Sequence, residues 1–424
     1  MKSVQDHLGL VLRTVNPTRE LNLVLKDARG CVTPHDIAVQ EQLPRFTHAT
    51  QDGYAVRSAD VARASSDEPV QLRVLGDVRA GDADIQHLVP GSAFRIMSGA
   101  MLPHDADAVV PLEKTDRGLA SARVFAPVAA GEHVRPAGAD ANVGDVAIPA
   151  GTQLFPRHLA PLASLGHSGV SVHPRPRVVV ISIGDELSDP GKPLRPGQVP
   201  DVNSILLAEA TRRAGAAPFR IGVVADKTRA LREVLEDQLV RADVVITTGG
   251  VSAGDFDVVR EVLAPLGTVR FDHIDMEPAS QQGFGTVGEN VPIFALPGKP
   301  AAALIAFEVF VRPALQRMRG LTSADDLYRP VIDARVATGW HGPAHVRQFM
   351  PVTLTREGQL WTASPIPGAN VTAADDAGDL TAARAGGAGA AVVGLAAMNG
   401  LAIVAEGTGL TAAGSTVRVM RLDD

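Results

Sequence analysis

The sequence predicts a multidomain α/β protein built around a doubly wound, three-layer α/β domain. From Arg177 to about Arg319, short runs rich in valine and isoleucine alternate with longer stretches whose apolar residues have helical spacing. This alternation is typical of βαβ units, and it favours a mostly parallel sheet covered by helices on both faces. On both sides of this segment the chain changes to short alternating runs between turn residues, which indicates further β-rich parts.

The α/β segment begins with the apolar run RVVVISI (177–183), which predicts a buried strand. After a Pro/Gly-rich loop, Asn203 and Ser204 can cap the helix ILLAEATRRAG, which ends at Gly215. The remaining predicted elements are, in order, the strand PFRIGVV, the helix TRALREVLEDQLVRA (228–242), the strand DVVITT (243–248), the helix FDVVREVLAPLG, the strand VPIFAL (291–296) and the helix AAALIAFEVFVRPALQRM (301–318).

The flanking segments give the outline of the other parts. Residues 1–40 are expected to be mainly helical, and residues 138–166 are expected to return beside them. Residues 42–137, with alternating runs such as VQLRVLGDVRAGD, then form a β-rich insertion. After about Leu321, runs such as LAIVAEG and STVRVMRL predict a small C-terminal β domain.

Composition limits the classes of function. A chain of 424 residues with 45% hydrophobic content can bury a large core and is expected to divide into roughly two to four domains. The net charge of -7 and the absence of a basic cluster argue against nucleic-acid binding. With one cysteine, no signal-peptide pattern and no apolar run long enough for a membrane span, the sequence predicts a cytoplasmic protein without membrane contact.

Polar residues follow every predicted strand of the α/β segment, at the end where ligands bind in open parallel sheets. Because several carboxylates in converging loops repel one another unless a cation lies among them, and because oxygen ligands suit Mg²⁺, we expect a magnesium site there. A subset is expected to bind the metal, and Asp255 is the best candidate for a helix cap instead. The acidic residues concerned are Asp185, Glu186, Asp226, Asp255 and Asp257.

The stretch GVSAG (250–254) fits the Gly-x-Ser-x-Gly pattern of a hydrolase nucleophile, with Ser252 as the reactive group. The order of an acid followed by a histidine is poorly met, since His273 follows by only about one strand. Carboxylates at Asp255 and Asp257 would also oppose a developing oxyanion. We therefore interpret the stretch as a glycine loop that presents backbone N–H groups to a phosphate, with Ser252 as a small loop residue or a phosphate contact.

Seven segments, taken in order over nearly the full length, resemble the molybdopterin molybdotransferase family, the bacterial MoeA type related to the C-terminal region of gephyrin. Each segment alone is a weak signal, whereas seven in this order are highly specific. They are QDGYAVR (51–57), RIMSGAMLPHDADAVVPLE (95–113), VRPAGADANVGD (134–145), ISIGDEL (181–187), DVNS (201–204), TTGGVSAGDFD (247–257) and ALPGKPAAALIAFEVFVRPAL (295–315).

The resemblance implies a fold and a reaction. Four domains would comprise residues 1–41 with 138–173 (elongated, N-terminal), 42–137 (β-rich insertion), 174–320 (doubly wound, molybdopterin-binding) and 321–424 (C-terminal β domain). It also implies a homodimer whose active site lies where the doubly wound domain of one subunit faces the β-rich domain of the other. In the implied reaction, adenylylated molybdopterin is hydrolysed, molybdate is placed on the dithiolene and AMP leaves, with Mg²⁺ neutralising charge.

The resemblance also assigns residues to these roles. The implied catalytic residues are Asp52, Asp140, Glu186, Asp226 and Asp257, of which the last three bind the metal. The expected substrate contacts are Ser98, Gly249, Gly250, Ser252, Gly254, Ser280, Pro297, Lys299 and Pro300.

Two loops depart from the family pattern. Where a lysine-bearing loop is usual, this chain has MEPASQQGFG (276–285), so that Glu277 and Ser280 occupy positions where lysine is common. A serine-bearing glycine turn of the family has become GAA (389–391), and Lys299 replaces a usual asparagine. The metal-site carboxylates favour a working enzyme. The altered loops support an alternative, a non-catalytic paralogue that binds a pterin, a nucleotide or a protein partner.

Overall fold

The computed structural model describes residues 2–84, 86–250, 258–266, 268–367, 369, 373–374, 380–381 and 392–423. The chain forms two compact units. The α/β unit comprises Met1–Leu23, Gly30–Pro34 and Ser171–Asp424, and the β-rich unit comprises Val24–Arg29 and His35–Val170. The division into four domains with the boundaries given above remains a prediction.

A six-stranded mixed sheet forms the centre of the α/β unit. The first four strands are parallel, and only the fifth runs in the opposite direction, so the mostly parallel sheet predicted from the sequence is confirmed. In spatial order the strands are Ala217–Val224, Arg177–Ile183, Val244–Thr248, Val291–Leu296, Gln281–Val287 and Arg270–His273.

Helices cover both faces of this sheet because its central strands bury side chains on both sides. Val178 and Val180 belong to one hydrophobic layer, and Val179 and Ile181 belong to the other. The helices of the first layer are Val4–Thr14, Asn203–Arg213, Pro300–Ala306 and Arg312–Met318, the last two joined by the π-helical turn Phe307–Val311. The helices of the second layer are Thr228–Leu239 and Val258–Leu263. The three-layer architecture is therefore confirmed.

Five of the strands after Leu321 form a closed barrel, since each of the five pairs with two others around a ring. Its core contains the fully buried Trp340 together with Val352 and Val419. The barrel strands are Val331–Val336, Arg347–Glu357, Leu360–Pro365, Gly400–Val404 and Thr416–Arg421. A short strand, Met276–Glu277, pairs in parallel with the start of Arg347–Glu357.

The β-rich unit contains a five-stranded sheet with buried clusters on both faces. In spatial order its strands are Ala108–Pro111, Gly53–Val56, Ser92–Ile96, Val70–Val78 and Ser121–Val124. Two short antiparallel pairs accompany it, Ile37–Ala38 with Val146–Ile148 and His48–Ala49 with Val134–Arg135. The helices of this unit are Ser58–Val61 and Pro156–Ser164. Nowhere in the described part of the chain is a helix both long and apolar enough to cross a membrane.

The expectation of a mainly helical segment over residues 1–40 is wrong outside Val4–Thr14. The chain continues as the short strands Leu21–Val24 and Ile37–Ala38. Pro17 explains the early end of the helix, because a proline disfavours helical backbone in the residue before it and cannot donate its own helical hydrogen bond.

The N-terminal helix anchors a buried histidine in the α/β unit. His7 is 1% exposed, and its ring packs edge-on against Phe310 with 4.8 Å between centroids. Burial, and secondarily the Lys2 ammonium, lowers the pKa of His7 to about 4, against an opposing effect of Asp272. Between about pH 4 and the ordinary histidine pKa, this imidazole therefore stays neutral in the folded protein, whereas it binds a proton in the unfolded chain.

We expect the free energy of unfolding to fall as the pH decreases from the ordinary histidine pKa towards 4. Two and a half pKa units correspond to about 3 kcal/mol. His7→Leu should remove most of this pH dependence, as measured by urea unfolding between pH 7 and pH 4. His345→Leu, a change at an exposed histidine, is the control and should keep it. An equal slope in the wild type and the His7 variant would contradict the assignment.

Candidate functional site

A cavity of about 440 Å³ lies at the carboxyl edge of the α/β sheet. Its floor includes the ends of the neighbouring strands Arg177–Ile183 and Val244–Thr248. From the first of these strands the chain crosses to Ala217–Val224 on one side and then to Val244–Thr248 on the other. The cavity therefore lies at the point where the strand order reverses, which is the usual ligand site of doubly wound sheets.

A glycine turn forms one edge of the cavity floor. Gly249 has a φ of +89°, and a Cβ at this position would lie 2.4 Å from the carbonyl oxygen of Ile183. Gly250 follows with a φ of +66°. Only glycine combines this backbone conformation with so close an approach. The structure thus shows why the sequence places a Gly-Gly pair directly after the strand.

Asp201 and Asn203 form the buried polar part of the floor, at 1% and 8% exposure. The Asp201 carboxylate oxygen Oδ1 accepts hydrogen bonds from the Ser182 hydroxyl at 2.8 Å and from the Ser204 N–H at 3.1 Å. The Asn203 amide donates to Thr248 Oγ1 at 2.8 Å and to the Gly298 carbonyl oxygen at 2.7 Å. Side chains at the start of one helix therefore connect two strand ends and a third loop.

These contacts correct the prediction that Asn203 and Ser204 cap the helix. Asp201 accepts the N–H of Ser204, while the side chain of Asn203 turns inward to the cavity floor. Ser182 and Thr248 also were not among the residues expected at the site. A signal was available, because DVNS (201–204) is one of the family segments and both hydroxyl residues stand at the ends of predicted strands.

Apolar side chains form the walls above this floor, and two helices begin at it. The first residues of the helices Asn203–Arg213 and Pro300–Ala306 line the cavity, so the positive ends of both helix dipoles face it. Such a cavity suits a ligand with a flat apolar surface and an anionic group. The apolar lining residues are Ile183, Leu187, Val199, Pro200, Val202, Val392 and Val393.

An acidic group lies at the same edge of the sheet. Glu186 is exposed and lines the cavity. Asp226 is partly buried, and its N–H donates to the Asp185 carboxylate at 3.1 Å. Burial raises the pKa of Asp226, and repulsion from Asp185 and Glu186 raises it further. Its oxygen Oδ1 is buried and has no hydrogen-bond partner among the residues that the structure describes. A cation beside these carboxylates would favour the charged form of Asp226 and so offset both its burial and the repulsion from its neighbours.

The donor set gives partial support to the predicted magnesium site. An orphaned carboxylate oxygen surrounded by like charge suits a hard cation such as Mg²⁺. Within the described residues, however, no three His, Cys, Asp or Glu side chains are arranged to hold a metal ion. The third predicted ligand, Asp257, lies outside the described residues. Ser252, Gly254 and Asp255 lie outside them as well, so the roles proposed for the whole GVSAGDFD stretch beyond Gly250 remain predictions.

Other predicted substrate contacts lie beside the cavity. Pro300 lines it, and the carbonyl oxygen of Pro297 accepts the Thr248 hydroxyl at 2.9 Å. Lys299 is exposed at the N-cap of the helix that begins at Pro300. Ser280 is not a lining residue. It lies in the loop 274–280, which joins two antiparallel strands farther along the same edge of the sheet, and its carbonyl oxygen accepts the Ile274 N–H at 2.7 Å.

In the β-rich unit, two of the three predicted residues lie together. The Asp52 carboxylate accepts the Ser98 N–H at 2.7 Å, and the Ser98 hydroxyl donates to the Thr50 carbonyl oxygen at 3.1 Å. Asp52 also lines a polar cavity of about 170 Å³. Asp140 forms an ion pair with Arg135 instead and does not line that cavity.

Comparisons with known proteins agree with this architecture. Residues 2–166 match the family model described as the MoeA N-terminal region (domain I and II), and residues 179–317 match the model described as a probable molybdopterin binding domain. A solved structure, the molybdopterin biosynthesis MoeA protein from Pyrococcus horikoshii, superposes with a TM-score of 0.81 at 29% identity. The superposition covers 100% of this chain and 99% of that one.

Curated relatives match at higher identity. Molybdopterin molybdenumtransferase 2 of Mycobacterium tuberculosis is 39% identical over 84% of this chain and 89% of its own length. The molybdopterin molybdenumtransferase of Nostoc sp. is 36% identical, over 76% of this chain and 75% of its own. The fold and the cavity thus define a doubly wound α/β domain of the class that the second family model describes, within a larger enzyme. The chain belongs to the molybdopterin molybdenumtransferase family, transferases of molybdenum cofactor biosynthesis.

Proposed function

We propose that this protein inserts molybdate into adenylylated molybdopterin with release of AMP. The observation that carries the proposal is the cavity at the switch point of the sheet, with a polar floor, apolar walls and two helix N-termini. A pterin ring is flat and has polar edges, and the adenylate supplies the anion that such a site favours. The relatives named molybdopterin molybdenumtransferase support the same substrate.

In this proposal the chain's own groups bind and orient the substrate. The glycine turn at Gly249 and the two helix starts provide backbone donors and positive partial charge to the phosphate. The apolar walls hold the pterin and exclude water from its faces. Water then cleaves the phosphoanhydride bond that joins AMP to the phosphate of molybdopterin, and AMP leaves. The two dithiolene sulfurs bind molybdate as the displaced oxygen leaves as water.

We also propose that Mg²⁺ assists this reaction, with Glu186, Asp226 and Asp257 as the residues that would hold it. The support in the described residues is the unpaired Asp226 oxygen and the raised pKa of its carboxyl group. Bound magnesium would neutralise charge that develops on the phosphate. The direct test of the whole proposal is an assay of AMP release from adenylylated molybdopterin with and without molybdate.

A homodimer with a shared active site is part of the proposal, together with a cytoplasmic location. The family resemblance supports it, and we infer that Asp52, Ser98 and Asp140 of one subunit serve the substrate bound by the α/β unit of the other. Ultracentrifugation should give twice the chain mass. Mixing an inactive Asp52→Asn chain with an inactive Asp226→Asn chain should restore activity in mixed dimers. A monomer, or no restoration, would contradict the shared site.

The loop that replaces the family's lysines gives a separate prediction. Glu277 is exposed and stands in the loop region at the same edge of the sheet as the cavity. The double change Glu277→Lys with Ser280→Lys should tighten molybdopterin binding about tenfold, or ~1.4 kcal/mol, because charge-assisted contacts replace a repulsive charge. Calorimetry on both proteins measures this.

Glu289→Lys is the control for the change in overall charge, since it adds two positive charges where the double variant adds three. This exposed residue lies in the turn at the opposite end of the same strands, between Gln281–Val287 and Val291–Leu296. It should leave the affinity unchanged. Equal affinities of the double variant and the wild type would mean that the 274–280 loop does not reach the ligand.

A further inference from the structure

The cavity floor contains a buried hydrogen-bonded connection that has no direct role in the proposed chemistry. Asn203 donates one hydrogen bond to Thr248 Oγ1 and a second to the carbonyl oxygen of Gly298, and the Thr248 hydroxyl donates to the carbonyl oxygen of Pro297. Three segments that are distant in sequence meet here: the start of a helix, the end of a strand and the loop 297–299.

Both connected loops supply backbone to the site. Thr248 is followed directly by the glycine turn. A Cβ added to Gly298 would lie 3.5 Å from the Cα of Gly249. Gly298, Thr248 and Gly249 all line the cavity. The separation of the two loops therefore determines how closely their backbone groups can surround one ligand.

The chemistry of the contacts specifies an amide at position 203. A carbonyl oxygen only accepts, so the Asn203 NH₂ group must face Gly298, and this fixes the orientation of the amide. The opposite oxygen, Oδ1, is buried and has no hydrogen-bond partner among the described residues. A buried unpaired acceptor costs stability, so the two donations, and not the oxygen, are the favourable contacts of this side chain.

We propose that Asn203 is a positioning residue that sets the distance between the glycine turn at 249–250 and the loop 297–299, and thereby the affinity for the phosphate-bearing substrate. The identity of the ligand in this proposal rests on the proposed function, whereas the positioning geometry rests on the hydrogen bonds alone. Asn203 acts through Thr248 and Gly298 and takes no part in bond making.

The test uses Asn203→Asp, which keeps the shape but loses the donors, and Asn203→Leu, which loses all polarity. Asn290→Asp is the control, because it makes the same chemical change at an exposed turn residue remote from the cavity. The first readout is amide hydrogen exchange of the full-length protein without substrate. We expect exchange in residues 249–250 and 298–299 to become about tenfold faster in both Asn203 variants and to stay unchanged in the control.

The second readout is steady-state AMP release with adenylylated molybdopterin. For the folded variants we expect KM to rise about tenfold and kcat/KM to fall up to about 10²-fold, because small displacements of positioning groups are costly. A merely structural role would lower the melting temperature and the active fraction while leaving KM unchanged.

Thr248 provides an internal check. Thr248→Val loses the hydroxyl, so it should reproduce the Asn203 variants and add little to them in a double variant. Wild-type exchange in both loops of the Asn203 variants would overturn the proposal. Faster exchange without any AMP release from the wild-type protein would leave the positioning role intact and overturn the proposed function instead.

Discussion

Replacement of Asp226 by asparagine is expected to lower magnesium-dependent AMP release by at least about 100-fold. Changing a residue that only supports a metal ligand already costs up to about 100-fold, and Asp226 is proposed as a ligand itself. The reason is the state of this carboxylate. Its oxygen Oδ1 is buried without a donor in the described part of the chain, and Asp185 and Glu186 add like charge. A neutral amide of the same shape lacks the negative charge and is a weaker ligand for a hard divalent cation.

The same change should not destabilise the fold. Removing a charge that burial and repulsion both disfavour should leave the melting temperature unchanged or raise it. Asp189→Asn is the control and should keep full activity. Its carboxylate pairs with Lys192, and both residues lie in the loop between Leu187–Ser188 and Val199–Pro200. Magnesium titrations of the three proteins measure the effect. Identical magnesium dependence of the wild type and the Asp226 variant would remove Asp226 from the metal site.

Replacement of Gly249 by alanine should damage both the fold and the site. A Cβ at this position would lie 2.4 Å from the Ile183 carbonyl oxygen, and the φ of +89° is unfavourable for any side chain. We expect the free energy of unfolding to fall by about 3 kcal/mol, combining backbone strain with displacement of a strand end. Any folded fraction should bind molybdopterin poorly because the turn has moved.

Gly191→Ala separates the two causes. Gly191 has a similar φ of +86°, but nothing lies within 4 Å of its added Cβ. This control therefore carries only the backbone strain, about 1 to 2 kcal/mol. Urea unfolding of both variants gives the difference. If the two alanine variants lose the same stability, the close contact with Ile183 does not matter and the account of the glycine turn is wrong.

The parallel part of the fold could be predicted from the sequence because its strands are long, apolar and buried on both faces. The antiparallel strand Gln281–Val287 could not, since Gly283 and Gly285 interrupt its pattern. Its backbone packs too closely for side chains there, and a Cβ at Gly285 would lie 2.4 Å from the Thr268 carbonyl oxygen. The short strands of residues 21–38 were also missed, because apolar spacing alone does not distinguish them from helix.

The site was predictable where one loop carries a charged or glycine-rich motif. Glu186, Gly249 and Pro300 were expected at the cavity and line it. The contribution of Asn203 was missed, because its partners Thr248 and Gly298 are 45 and 95 residues away and no local pattern indicates that they meet. A short polar residue before a helix is normally interpreted as a cap. Only the tertiary structure shows that the side chain of Asn203 lies in the cavity floor.

The central claim is that the switch-point cavity converts adenylylated molybdopterin, and AMP release tests it most directly. The purified protein should release AMP from this substrate in an assay that requires both molybdate and Mg²⁺. The Gly249→Ala and Asp226→Asn variants should release far less, and the Asp189→Asn variant should match the wild type. Tight binding of molybdopterin by the wild type without any molybdate-dependent AMP release would contradict the claim and favour a binding protein that has lost turnover.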